Sequence, residues 1–297
     1  MQLALSMTIA HAPCAAPRGD DGPATTVLQR CLLRLVVAIT LLMPAWTAAQ
    51  PAAPITPAAE LDGLSILARA TQAAGGEGWA RVKTLELHGR AVFWGPTGAA
   101  PRSSTEQYSM WRVFDPDRAA SHGAEGKLRI VGRNQDKLVF TVGYDGSTTW
   151  TEKGITPQAE ADAFWAANFG FGIIRQATKP GFKAERVADG WSQGHAVFLV
   201  RLTDPQGGVS LFGIDRSSFA VRSIGFVTPR GWHERHYDDF VMQDNPAWLQ
   251  AREVTLLYNG VKANTLFWQR WVINGPIDAA VFAPPSVYPP PAVVVVP

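Results

Sequence analysis

From Leu85 onward the chain alternates apolar and polar residues in short runs, a period of two that suits extended strands with one buried face. In TLELHGRAVFW, Leu85, Leu87, Ala91 and Phe93 alternate with Glu86, His88, Arg90, Val92 and Trp94. The pattern recurs at 108–113, 127–133, 137–144, 196–202, 209–214, 221–227, 235–241, 254–258 and 265–273. Turn chemistry separates many of these runs: NQDK at 134–137, DG at 145, DPQGG at 204 and NG at 259. Short links between alternating strands predict an antiparallel meander of about ten strands with one wet face and one apolar face. No internal repeat of propeller or solenoid length interrupts it.

Two stretches change period. In ELDGLSILARATQAAGGEGW, Leu61, Leu64, Leu67, Ala68 and Ala74 recur at helical spacing and Gly75-Gly76 supplies a stop, which predicts one short amphipathic helix. The stretch 156–181 opens on Thr-Pro and carries Phe164, Trp165, Phe169, Phe171, Ile173 and Ile174. It reads as one or two helices with an aromatic face, kinked or broken at Gly170 and Gly172. A long meander must cover its apolar face, either by closing on itself or by using such helices as a lid.

The N-terminal 49 residues read as a leader. The apolar run at 35–43 lies between Arg34 and Pro44 and is too short to span a membrane, which needs about 20 apolar residues. With Arg30, Arg34 and Thr47-Ala48-Ala49 it has the layout of a secretory signal, with cleavage expected between Ala49 and Gln50. Residues 50–59 form a Pro/Ala linker, 60–285 a single domain, and 286–297 a Pro-rich irregular tail. No integral membrane span is expected in the mature chain.

Both cysteines, Cys14 and Cys31, fall in the leader and neither follows a lipobox, so disulfides, thiolate catalysis and cysteine metal sites drop out together. Residues 1–49 hold three arginines and two aspartates, so their loss leaves 24 basic and 23 acidic residues. That balance offers no footprint for nucleic acid. No nucleophile elbow, phosphate loop or dinucleotide fingerprint occurs, and no cofactor is expected. The densest polar cluster is GWHERHYDDF, with His233, Glu234, His236, Asp238 and Asp239. Strand alternation sends Glu234, His236 and Asp238 to one face and His233, Arg235 and Asp239 to the other, so the histidines diverge and no metal site is expected. A metal-dependent hydrolase centred on 233–239 stays as a lesser alternative, and an envelope scaffold docking a protein partner as another. The sequence also carries 11 Trp and 14 Phe, which can build a thick core or line a pocket.

The order of elements resembles the LolA-like superfamily of periplasmic lipoprotein carriers. The residues that carry the resemblance are Gly75-Gly76 before Trp79, the strand from Leu85 to Gly89, IDRSSFAVRSIGF at 214–226, YDDF at 237–240, and Asn274, Pro276, Asp278, Phe282 and Pro284. The resemblance implies an α+β fold, an unclosed antiparallel β half-barrel covered by a few helices. It further implies a non-enzymatic binding protein whose partner is an acyl lipid or a lipoprotein. No lipoprotein-contacting basic residue of the carriers is matched here, with Arg90 the candidate on the polar face. Alternation then places Leu85, Leu87, Phe93, Met110, Phe140, Phe198, Phe226 and Trp268 on the cavity side of the sheet, with Phe164, Phe169 and Ile173 from the lid.

Overall fold

The computed structural model describes residues 60–168 and 171–286. The expected leader, linker and most of the tail lie outside them, as does Phe169. Helix α1 (Gly63–Ala74) and a single turn α2 (Glu77–Ala80) precede an outward meander. Its strands are β1 (Thr84–Trp94), β2 (Pro101–Val113), β3 (Lys127–Asn134), β4 (Lys137–Tyr144), β5 (Thr149–Thr151) and β6 (Gly154–Ile155). Helix α3 (Gln158–Asn168) and a 3-10 turn (Phe171–Gln176) follow. A second meander then runs through β7 (Lys183–Ser192), β8 (His195–Thr203), β9 (Val209–Asp215), β10 (Val221–Thr228), β11 (Gly231–Asp244), β12 (Ala247–Tyr258) and β13 (Val261–Ile273).

All strands belong to one sheet in the order β6-β5-β4-β3-β2-β1-β13-β12-β11-β10-β9-β8-β7. Every neighbouring pair is antiparallel, and the two meanders meet where β1 pairs with β13, Leu85 opposite Ile273. The edges β6 and β7 do not pair, so the sheet is unclosed. α3 and the 3-10 turn carry the chain from one edge to the other.

Among the described residues the sheet has 13 strands where the alternation predicts about ten. The three additional strands are β5, β6 and β7. β5 and β6 span three and two residues, too few to display a period. β7, KAERVADGWS, is an edge strand exposed over most of its length, so burial imposes little apolar pattern on it. The stretch 94–104 belongs to the β1–β2 hairpin, with Phe93 opposite Ser103.

Helix α1 forms where its pattern predicts, but its buried stripe is Gly63, Ile66, Leu67, Ala70 and Ala74, while Leu64 is 45% exposed and Ala68 faces solvent. Gly63 sets this phase: a Cβ there would lie 2.7 Å from the backbone of Glu185, so the helix start rests directly on β7. Asp62 caps the helix by accepting from the Ser65 amide at 2.7 Å. At the other end Gly75 has φ +131°, and a Cβ would come within 2.2 Å of the Ala247 carbonyl oxygen, so this stop accepts glycine alone. Helix α1 therefore lies over β7, β8, β9 and β12. Beneath it Phe198, Val200, Leu202, Phe212 and Ile214 make a continuous core.

Candidate functional cavity

The other side of the inner face is not filled. A cavity of about 610 Å³ opens there, a size within the usual range for ligand sites, about 300–1,000 Å³. Its floor is built by strand parity: Leu85, Leu87 and Phe93 of β1, Tyr108 and Met110 of β2, Phe140 of β4 and Trp268 of β13. Phe164 of α3 stands on the wall, and so do Trp79 of α2 and Trp248 of β12. The aromatic rings brace one another, with Tyr108 5.5 Å from Trp268 and 6.0 Å from Phe140, and Phe140 edge-on to Phe93 at 5.9 Å.

Of the residues expected on the cavity side, Leu85, Leu87, Phe93, Met110, Phe140, Trp268 and Phe164 are on this wall. Phe198, Phe226 and Ile173 sit elsewhere, each for its own reason. Phe198 has the expected facing, but it packs against Phe219 at 6.0 Å, and Arg69 of α1 lies over that ring, so the helix side fills the space. Phe226, 1% exposed, lies between His122, stacked at 4.5 Å, and His233, edge-on at 5.1 Å. His122 arrives on the β2–β3 loop, which crosses to β8 and β9: the Ser121 amide donates to Asp204, and His122 Nε2 lies 3.1 Å from the Val209 carbonyl oxygen. Ile173 is part of the 3-10 turn and is fully buried in the core. Arg90 is exposed, with its guanidinium 3.8 Å over the Phe267 ring.

The 233–239 cluster does not converge. His233 is buried, with Nδ1 3.0 Å from the Leu257 carbonyl oxygen, and its Nε2 accepts from Arg235 Nε at 3.2 Å. Burial and then the Arg235 charge push its pKa down to about 3, so the ring is neutral. His236 faces the opposite side beside Glu234, 3.6 Å away. Asp239 takes a left-handed φ of 51°, turns outward and pairs with Arg252 at 2.6 Å. The next residue, Phe240, thereby joins the cavity wall. Among the described residues no group of three or more His, Cys, Asp or Glu is placed to hold a metal ion.

The wall also carries charge that the apolar pattern does not announce. Arg112, Arg175 and Arg235 line the cavity together with Tyr237. Arg112 donates to Glu125 at 2.9 Å, and Arg118 donates to the same carboxylate oxygen. Burial alone would raise the Glu125 pKa, but the charges of Arg112, Arg118 and Arg175 hold it below its ordinary value. Arg175 donates from Nε to the Trp79 carbonyl oxygen at 3.1 Å, and its guanidinium lies 4.4 Å over Trp79 and 4.7 Å over Phe114. Gly172 fits against this group: a Cβ would be 3.3 Å from Arg118 Nη1 and Glu125 Oε2 and 3.5 Å from Arg175 Nη1. The glycine that reads as a helix breaker thus makes room for the arginines. Arg112 and Arg235 follow parity, two residues from Met110 and from Tyr237, so alternation could have placed them. Arg175, on a 3-10 turn after Ile173-Ile174, has no such signal.

No protein-family model matches the chain, and no curated protein matches it by sequence. Among solved structures it is similar to a domain from Vibrio parahaemolyticus described as outer membrane lipoprotein-sorting (10% identity, 74% of this chain and 95% of that one, TM-score 0.44). It is also similar to a LolA superfamily protein from Nitrosomonas europaea (10% identity, 76% and 99%, TM-score 0.45). A third is a DUF1329 family protein from Desulfovibrio piger (8% identity, 74% and 95%, TM-score 0.47). The descriptions of these structures are of the kind named in the sequence-based resemblance, and among the described residues the chain itself forms an unclosed antiparallel sheet with few helices.

Proposed function

We propose that this protein is exported to the periplasm and there binds an acyl lipid, or the acyl chain of a lipidated protein, as a carrier rather than as an enzyme. The observation that supports this reading is the cavity of about 610 Å³ walled by Leu85, Leu87, Phe93, Met110, Phe140 and Trp268. Each methylene moved from water into such a site contributes about 0.8 kcal/mol, so one long chain can be held without a covalent step. The signal read at residues 30–50 supports export. The second meander completes the container, because β13 returns to pair with β1 beneath the cavity.

The test is purification of the exported chain without detergent, followed by solvent extraction. Wild type is expected to yield about one acyl lipid per chain, and Phe93→Glu is expected to fold and export but to yield none. Near-UV circular dichroism checks that the variant is folded. Equal lipid content in the two folded proteins would remove the cavity from the account.

A further inference from the structure

The cavity wall is polarised. Where β2, β11 and the 3-10 turn meet, three guanidinium groups, those of Arg112, Arg118 and Arg175, are arranged around one carboxylate, Glu125, and a fourth, that of Arg235, lies close enough to Arg112 to act on it. Two of the four converge on a single ring, with Arg112 4.6 Å and Arg175 4.7 Å from the centre of Phe114. Glu125 is engaged by Arg112 and Arg118. Three guanidinium groups around one carboxylate leave a formal excess of two positive charges within that group, and burial pushes Tyr108 and Tyr237 up to about 12, which keeps both phenols neutral. Two further carboxylates reach the wall, Glu152 and Glu160, but from the β5–β6 turn and α3. Neither is among the main electrostatic influences on Arg112 or Arg175, which are Glu125, the other arginines and Tyr237.

A cationic group in an apolar setting loses hydration and regains stability from a desolvated anion. We propose that the ligand of this cavity is an amphiphile with an anionic head group, a carboxylate or a phosphate monoester, which seats on Arg175, Arg112 and Arg235 while its chain lies along Leu87, Met110 and Trp268. This rests on the cavity being a binding site for an acyl chain. Arg175 is the centre of the seat. Its Nε is committed to Trp79, and the planar group is held among Trp79, Phe114 and, at 5.8 Å, Trp248, so its orientation is fixed before any ligand arrives. Burial lowers its pKa to about 9, with Glu125 partly restoring it, which leaves the group protonated at neutral pH and open to stabilisation by a second anion.

The experiment is calorimetric titration of the delipidated exported protein with four probes that share one chain: dodecanoate, dodecyl phosphate, dodecanol and dodecylammonium. At least one of the two anions is expected to bind about tenfold or more tightly than dodecanol, with dodecylammonium weakest. The order of the two anions tells a carboxylate seat from a phosphate seat. Arg175→Gln is expected to bring the affinity of the preferred anion down to that of dodecanol. Dodecanol binding as tightly as both anions, or dodecylammonium binding tightest, would overturn the anionic seat and leave the acyl cavity standing. Failure of all four probes to bind would overturn the cavity reading and this inference with it. The ranking on wild type decides the question even if the variant does not fold.

Discussion

The two halves of the sheet obey the same alternation and end differently. Over β7, β8 and β9 the inner residues Phe198, Val200, Leu202, Phe212 and Ile214 meet helix α1 and become solid core. Over β1 to β4 the inner residues Leu87, Phe93, Met110 and Phe140 meet empty space. A period of two states which side chains face inward. Whether they meet a helix or a void depends on elements brought from elsewhere in the chain, here α1 seated on β7 through Gly63.

This contrast can be broken most directly with one substitution on each side. Phe198→Ala, in the filled half, is expected to cost about 3–5 kcal/mol in urea unfolding, the usual range for deleting a buried ring. Phe140→Ala, on the cavity wall, removes a ring that already faces a void on one side and is expected to cost about 1–2 kcal/mol. Equal losses would mean that the two halves are equally packed.

Asp215 sharpens the comparison at the β9–β10 turn of the filled half. Burial would raise its pKa, but hydrogen bonds from the Ser217 hydroxyl and the Ser217 and Ser218 amides, with Arg222 at 3.0 Å, hold it well below the usual carboxylate range. The native pKa lies below the unfolded value of about 3.9, so the stabilisation is present above that pH and is lost as pH falls toward the native value. Asp215→Asn is expected to cost about 2 kcal/mol at pH 7 and to flatten the loss of stability below about pH 4. An unchanged acid limb in the variant would place the acid sensitivity elsewhere.

The smallest expected effect on stability comes from filling the hollow half. Met110→Trp puts bulk into the cavity and is expected to change stability by less than about 1 kcal/mol, because the new ring displaces empty space and not packed neighbours. Its lipid content after detergent-free purification should nevertheless fall toward zero. A large destabilisation would show that the site has no room.

Much of this was legible in the sequence, and the failures are physical. Leu85, Leu87, Phe93, Met110, Phe140 and Trp268 follow from parity because their strands are long and half-buried. Phe198 and Phe226 share that parity, but α1 covers one side and the β2–β3 loop, through His122, covers the other. Neither covering is a local property of the strands. The stripe of α1 reads one step out of phase, since the helix turns to bring Gly63 against β7 and leaves Leu64 outside. β7 itself lacks a buried face to write an apolar pattern. Arg175 joins Arg112 across 63 positions of sequence through the folded 3-10 turn, a meeting that no local spacing encodes.

One half of the inner face borders a cavity and the other is filled by packed side chains. The most direct measurement is methyl NMR of the delipidated protein titrated with a doxyl-labelled fatty acid, whose unpaired electron broadens nearby signals. Broadening is expected at Leu87, Met110 and Ile130, with Val200, Ile214 and Ile224 unaffected. Equal broadening at both sets, or broadening confined to the second, would contradict it.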